Sequence, residues 1–171
     1  QDITVNLGCP VAGRRVLLLG AGGAARGSLL PLLLAEPTRL VVANRTAAKA
    51  VALAAEFARL PSCAVAVKPE GCGFADLAGQ HFDVIINATS ASLGDAAPDL
   101  PAGLYAPGSL AYDMMYGKGD TAFMVAARQQ GATLVADGLG MLVEQAAESF
   151  LLWRGVRPDT APVLAELRAA L

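Results

Sequence analysis

Gly20-Ala21-Gly22-Gly23-Ala24-Ala25 follows directly on the apolar run Val16-Leu17-Leu18-Leu19. Asn44-Arg45-Thr46 closes a second apolar run, Leu40-Val41-Val42-Ala43, 24 residues after Gly20. Glycines placed between a strand and a helix suit one kind of chemistry, the holding of a phosphate on bare backbone. Gly20 permits a tight turn out of the strand, and Gly22, lacking Cβ, lets the backbone approach a pyrophosphate closely. Gly23 and Ala24 open the helix, whose first unpaired N–H groups and positive dipole end face the anion. Ala25 takes the place of a third glycine and is still small enough for close helix–strand packing.

The end of the second strand selects the nucleotide. A site for NAD places a carboxylate there to accept from the ribose 2′-hydroxyl, and Asn44-Arg45 supply none. Arg45 instead presents a planar fork to a 2′-phosphate, where a charge-assisted hydrogen bond is worth roughly 1.5–3 kcal/mol. Lys49 can lean back to the same phosphate from the first helical turn, and Thr46 is a candidate helix N-cap. The cofactor expected from these residues is NADP; the plainer alternative is an exposed arginine in a strand–helix loop.

Further polar groups fall at the ends of later strands. Phe82-Asp83-Val84-Ile85-Ile86-Asn87 reads as a central parallel strand whose carboxyl end, through Asn87 and Thr89, faces the cofactor. Those two side chains either bond the ribose and nicotinamide side or cap a turn. Tyr112-Asp113-Met114-Met115-Tyr116 leads into the glycine turn Gly117-Lys118-Gly119. Tyr116 can present its hydroxyl to a polar ligand, and Met114 can pack either on a nicotinamide ring or in the core. Asp113 most simply bonds loop backbone, and Asp120 or Thr121 caps the next helix. Gly138 allows close approach to a ring, and Gln145 offers donor and acceptor atoms either to a ligand or to solvent.

The elements that must position these groups alternate between strand and helix. Strands are expected at 15–19, 39–43, 64–67, 82–87, 109–113 and 133–136, and helices at 23–35, 47–60, 121–130, 141–154 and 159–170, with a short turn at 74–77. Such alternation predicts an α/β fold: a doubly wound parallel sheet of about six strands, Rossmann-like, in three α/β/α layers. Pro31 should kink the first helix unless the helix starts late enough for the bend to be absorbed.

Composition narrows the function classes. The 171 residues are 54% hydrophobic and 16% charged with a net charge of −2, which suits one globular domain with a sizeable core. A pI near 5.3 without a lysine/arginine cluster points away from nucleic acid and anionic membranes. The apolar stretch 29–35 is too short to span a bilayer and contains Pro31. Cys9, Cys63 and Cys72 lack metal-ligand spacing and read as reduced cytosolic thiols, so the expected location is the cytoplasm. His81 is the single histidine, leaving little material for a zinc site or a serine–histidine triad. No metal site is expected.

Taken together, GAGGAARG, NRT, FDVIINATS, YDMMYGKGDT and DGLGMLVEQAAESFLLWRG resemble the carboxyl-terminal NADP-binding domain of the shikimate dehydrogenase family, in the family's order and over nearly the whole chain. The resemblance implies reversible hydride transfer between NADPH and 3-dehydroshikimate. It implies that Gly20, Ala21, Gly22, Gly23 and Ala24 hold pyrophosphate and that Asn44, Arg45, Thr46 and Lys49 hold the adenosine ribose phosphate, Lys49 standing where the family often has arginine. It further implies that Met114 and Gly138 border the nicotinamide and that Tyr116 and Gln145 reach shikimate.

The family's catalytic lysine, in an NVTxPxK-like motif, and its partner aspartate, in an NTD-like motif, belong to an amino-terminal substrate domain, and neither string occurs here. Residues 1–14 are therefore expected to be a connector from that missing partner domain, and 15–171 the NADP-binding domain. No catalytic residue is assigned within the chain, since the one local pair, Lys118 with Asp120, sits in a flexible turn. The isolated chain is expected to bind NADP with little turnover. Rival readings are a quinate/shikimate paralogue using NAD or NADP, the nucleotide domain of another reductase, and a non-catalytic nucleotide-binding or interaction module.

Overall fold

A computed structural model of the chain describes residues 1–60, 66–89 and 96–171. After a π-helical turn at Asp2–Asn6, the chain runs β1 (Arg15–Leu19), α1 (Gly23–Leu34), β2 (Arg39–Asn44), α2 (Ala47–Ala58), β3 (Glu70–Gly73), a 3₁₀ turn (Ala75–Leu77), β4 (Phe82–Asn87), β5 (Tyr105–Asp113), α3 (Ala122–Gln129), β6 (Leu134–Ala136), α4 (Leu139–Arg154) and α5 (Ala161–Ala170). The six strands form one sheet in the order β3-β2-β1-β4-β5-β6, all pairs parallel. This is the expected doubly wound arrangement. The order reverses between β1 and β4, and a crevice opens there beyond the strands' carboxyl ends.

Both faces of the sheet are covered, which is why β1, β2 and β4 are nearly continuous apolar runs. Val16, Leu18, Val42, Val84, Ile86 and Tyr112 pack with Leu29, Leu33 and Leu53 on one side. Leu17, Leu19, Val41, Ile85 and Ala111 pack with Phe123 and Ala127 on the other. Alternate residues thus serve opposite layers. At the strands' amino ends Arg15 forks onto Asp83 (2.8 and 3.0 Å) and Arg39 onto Glu70 (2.8 and 2.9 Å), tying β1 to β4 and β2 to β3.

The third strand and the start of the fifth differ from expectation. A strand lies at Glu70–Gly73; of the strand expected at 64–67, Ala66-Val67 are not in a strand, and Ala64 and Val65 lie outside the described residues, as do Cys63 and Ser90. The physical reason is packing against α2: a Cβ at Gly71 would stand 2.5 Å from the Ala50 carbonyl oxygen, so β3 needs a glycine where propensity would ask for a branched residue. Helix α1 runs on through Pro31 to Leu34, and the Pro31 carbonyl accepts from Ala35 N at 3.1 Å. His81 lies in a loop, its Nδ1 2.6 Å from the Gly103 carbonyl.

The carboxyl-terminal helix is attached in another way. No residue of α5 is buried. Arg168 grips the buried Asp137 carboxylate with two bonds (2.6 and 2.7 Å), and Thr160 donates to Glu144 of α4 at 2.9 Å. Among the described residues no helix is long and apolar enough to cross a membrane.

Candidate functional site

The crevice is a cavity of about 1350 Å³ at the carboxyl edge of the sheet. Gly20 to Ala24 reach it from the β1–α1 turn, Asn44 to Thr46 and Lys49 from the β2–α2 turn, and Thr89 from the end of β4. Gly20 has φ +107°, and a Cβ there would stand 2.9 Å from the Ala88 carbonyl oxygen. Only glycine fits that corner. At Gly22 a Cβ would meet nothing within 4 Å, so the fold itself does not require glycine there; a ligand lying on the backbone would. Gly22 is the N-cap of α1 and brings no side-chain acceptor, which leaves the first N–H groups of the helix to the cavity.

Thr46 occupies the N-cap position of α2, yet its side chain makes no capping bond. Asn44 Nδ2 instead donates to the Thr46 carbonyl at 3.0 Å and fixes the turn. Arg45 and Lys49 are exposed, and neither makes an ion pair among the described residues, whereas Arg15, Arg26, Arg39, Arg128, Arg157 and Arg168 each hold a carboxylate. The two cations on the cavity wall thus hold no carboxylate among the described residues. Among the described residues no cluster of three His, Cys, Asp or Glu side chains is placed to hold a metal.

Asn87 does not line this cavity. It is fully buried, donates from Nδ2 to Asp113 Oδ1 at 3.1 Å, and through Oδ1 accepts from Thr89 N (3.1 Å) and Thr89 Oγ1 (2.7 Å). Of the two openings left by the sequence, this geometry builds the turn cap. The Asp113 carboxylate, also fully buried, accepts from Met115 N at 3.1 Å and Thr121 Oγ1 at 2.6 Å. Thr121 in turn caps α3, accepting from Met124 N at 3.2 Å. Asp113 therefore bonds two side chains as well as loop backbone, and the ends of β4 and β5 and the start of α3 are one network.

The residues expected on the substrate side stand beyond the cavity. Met114 and Gly138 touch: a Cβ at Gly138 would be 2.2 Å from the Met114 carbonyl oxygen, and Gly138 N donates to Met115 O at 3.0 Å. Tyr116 is 43% exposed, and Gln145 is exposed on α4. Lys118 is exposed, and Asp120 is committed to Arg128, so the local lysine–aspartate pair does not form. Sequence reasoning missed Gly73 to Asp76 and 96–101 as cavity walls. The signal for the former was the pair Gly71 and Gly73, which marks a strand end packed tightly on a helix.

A parallel sheet with a reversal at β1/β4, a side-chain-free helix start and a guanidinium at the next turn define a Rossmann-like α/β domain. A family model described as shikimate / quinate 5-dehydrogenase matches residues 5–94, and one described as the shikimate 5′-dehydrogenase C-terminal domain matches 138–168. The chain belongs to the shikimate/quinate 5-dehydrogenase family. It is 66% identical over 171 residues to a shikimate dehydrogenase (NADP(+)) of Aromatoleum aromaticum and 62% identical to one of Dechloromonas aromatica. All of the chain is covered in each, but it spans 60% of the length of these relatives. Among solved structures, an Ael1 enzyme from Pseudomonas putida superposes with TM-score 0.86 at 53% identity, covering 97% of this chain and 59% of that one. A shikimate 5-dehydrogenase from Thermus thermophilus in complex with shikimate gives TM-score 0.75 at 32% identity, covering 99% and 58%.

Proposed function

We propose that the whole protein is an NADP-dependent shikimate dehydrogenase that interconverts 3-dehydroshikimate and shikimate, and that this chain is its cofactor-holding part. The observation that carries this reading is the convergence on one cavity of a helix start without a side-chain cap and of Arg45 and Lys49, two cations with no ion pair among the described residues. The names of the relatives, and the shikimate bound in the Thermus thermophilus structure, support the choice of substrate.

The nicotinamide dinucleotide, when bound, supplies the hydride. Gly20 to Ala24 hold the pyrophosphate on backbone N–H groups, and Arg45 and Lys49 hold the 2′-phosphate. Met114 and Gly138 border the nicotinamide, and Tyr116 and Gln145 reach the substrate. Asn87 and Thr89 set the β4 end that supports the ribose side. The proton on the substrate oxygen is handled by the lysine and aspartate that the resemblance places in the family's amino-terminal substrate domain, and the local candidate Asp120 is held by Arg128. The chain alone, which spans 60% of its relatives' length, then binds NADP with little turnover.

Titrating the chain with NADPH and NADH while following reduced-nicotinamide fluorescence tests the cofactor part. Saturable binding with NADPH tighter than NADH is expected; no saturation, or the reverse order, overturns it. A quinate-using variant of the same reading is kept because the matched family model covers both substrates, and an assay of the whole protein with quinate and NAD separates the two.

A further inference from the structure

Asp2 is only 7% exposed although it lies in the π-helical turn ahead of β1. Its Oδ2 accepts from the Tyr112 hydroxyl at 2.5 Å, and its Oδ1 accepts from Asn6 Nδ2 at 2.8 Å. The same Asn6 amide donates to Glu144 Oε1 at 3.1 Å. On its other side the carboxylate fills the place of a side chain at Gly140, where a Cβ would lie 2.1 Å from Oδ1. One buried carboxylate thus joins three elements: the π-helical turn, the end of β5 and the first turn of α4. Burial, and then the Asp2 carboxylate, push the Tyr112 phenol well above its ordinary range, so it stays a donor.

The partners have a pattern. Tyr112 lies just before Met114 and Tyr116 on the same strand end, and Gly140 and Glu144 lie just before Gln145 on the same helix. None of these bonds reaches the β1–α1 or β2–α2 turns that carry Gly20 to Ala24 and Arg45. We propose that Asp2 is a positioning residue for the substrate side of the site, its carboxylate setting the spacing between the β5 end, with Met114 and Tyr116, and α4, with Gln145. The proposal rests on the functional reading above, in which those side chains face the nicotinamide and the substrate. Its physical force is that a misplacement of about 1 Å in such groups can cost on the order of a hundredfold in rate.

The test uses the whole protein with Tyr112→Phe, which removes one oxygen, Asp2→Asn, which keeps the shape, and Gly140→Ala, which expels the carboxylate. Each should raise the KM for shikimate about tenfold or more while the NADPH Kd from fluorescence stays within about twofold. Gly140→Ala should add nothing further in an Asp2→Ala background, since the clash is then gone. Amide exchange should quicken at 112–118 and 139–146 and stay unchanged at 20–25. An unchanged KM, or a loss shared equally by shikimate and NADPH, overturns the proposal as a merely structural role would produce it. If the unmutated whole protein fails to oxidise shikimate with NADP, the functional reading falls. Positioning is then decided by exchange alone, and unaltered exchange at 112–118 and 139–146 in Tyr112→Phe overturns it.

Discussion

Gly20 and Ala88 meet backbone to backbone where β1 and β4 end. A Cβ on Gly20 would stand 2.9 Å from the Ala88 carbonyl oxygen, and φ there is +107°. Gly22, two residues on, faces open space. These two glycines of one motif therefore stand under different constraints: the fold requires glycine at Gly20 and does not require it at Gly22. Gly20→Ala should lower the unfolding free energy by about 1–3 kcal/mol in urea titration. Gly22→Val should leave the unfolding midpoint close to that of the parent and abolish saturable NADPH binding; retained binding would count against a pyrophosphate at that turn.

Arg45 is exposed on the cavity wall without a carboxylate partner among the described residues. Arg45→Ala should weaken NADPH binding by roughly ten- to a hundredfold, the loss of about 1.5–3 kcal/mol of charge-assisted hydrogen bonding, and leave NADH affinity nearly unchanged. Lys49→Ala should act in the same direction and less strongly. Fluorescence titration with both nucleotides measures the ratio, and an equal loss for the two would place the phosphate elsewhere.

Thr121 serves two bonds with one hydroxyl, donating to Asp113 and accepting from Met124 N. Thr121→Val removes a helix cap and a partner of a buried carboxylate together, which should destabilise by about 2–4 kcal/mol. Thr121→Ser keeps both bonds and should stay within about 1 kcal/mol. Chemical denaturation of the pair decides it: similar midpoints for valine and serine would mean the network contributes nothing.

Acid should act first on the amino edge of the sheet. The side-chain hydrogen bond from Arg15 holds the Asp83 carboxyl below its usual range, and Arg39 does the same for Glu70. Carboxyls depressed in the folded state stabilise fully above the ordinary carboxylate range, and that stabilisation disappears as pH falls through their folded values. The thermal midpoint should be level from about pH 7 to 5 and fall below about pH 4. Asp83→Asn should lower the midpoint at neutral pH and flatten the acid decline; an undiminished decline would assign the acid sensitivity to other groups.

Legibility in the sequence followed burial. β1, β2 and β4 were plain because both of their faces are covered, and the phosphate turn was plain because Gly20 sits at a corner that no other residue fits. β3 was not legible at Glu70–Gly73 because Gly71 answers to the backbone of α2, a tertiary demand that overrides strand propensity. β5 begins at Tyr105, earlier than expected, because exposed Pro107 and Gly108 interrupt the apolar pattern where its register against β4 shifts. Asp113 showed its backbone role but not its two side-chain partners. Asp2 gave no signal at all, since its partner Tyr112 lies 110 residues away and no period links them.

The attachment of α5 has a consequence for how the molecule comes apart. A helix of ten residues without one in the core adds little apolar burial to the body of the fold. Its grip on the body is Arg168 on Asp137, with Thr160 and Arg157 on Glu144 at its root. The tail should therefore come away before global denaturation, and a limited protease digest should trim it after Gly155 while the cavity at the sheet's carboxyl edge stays whole.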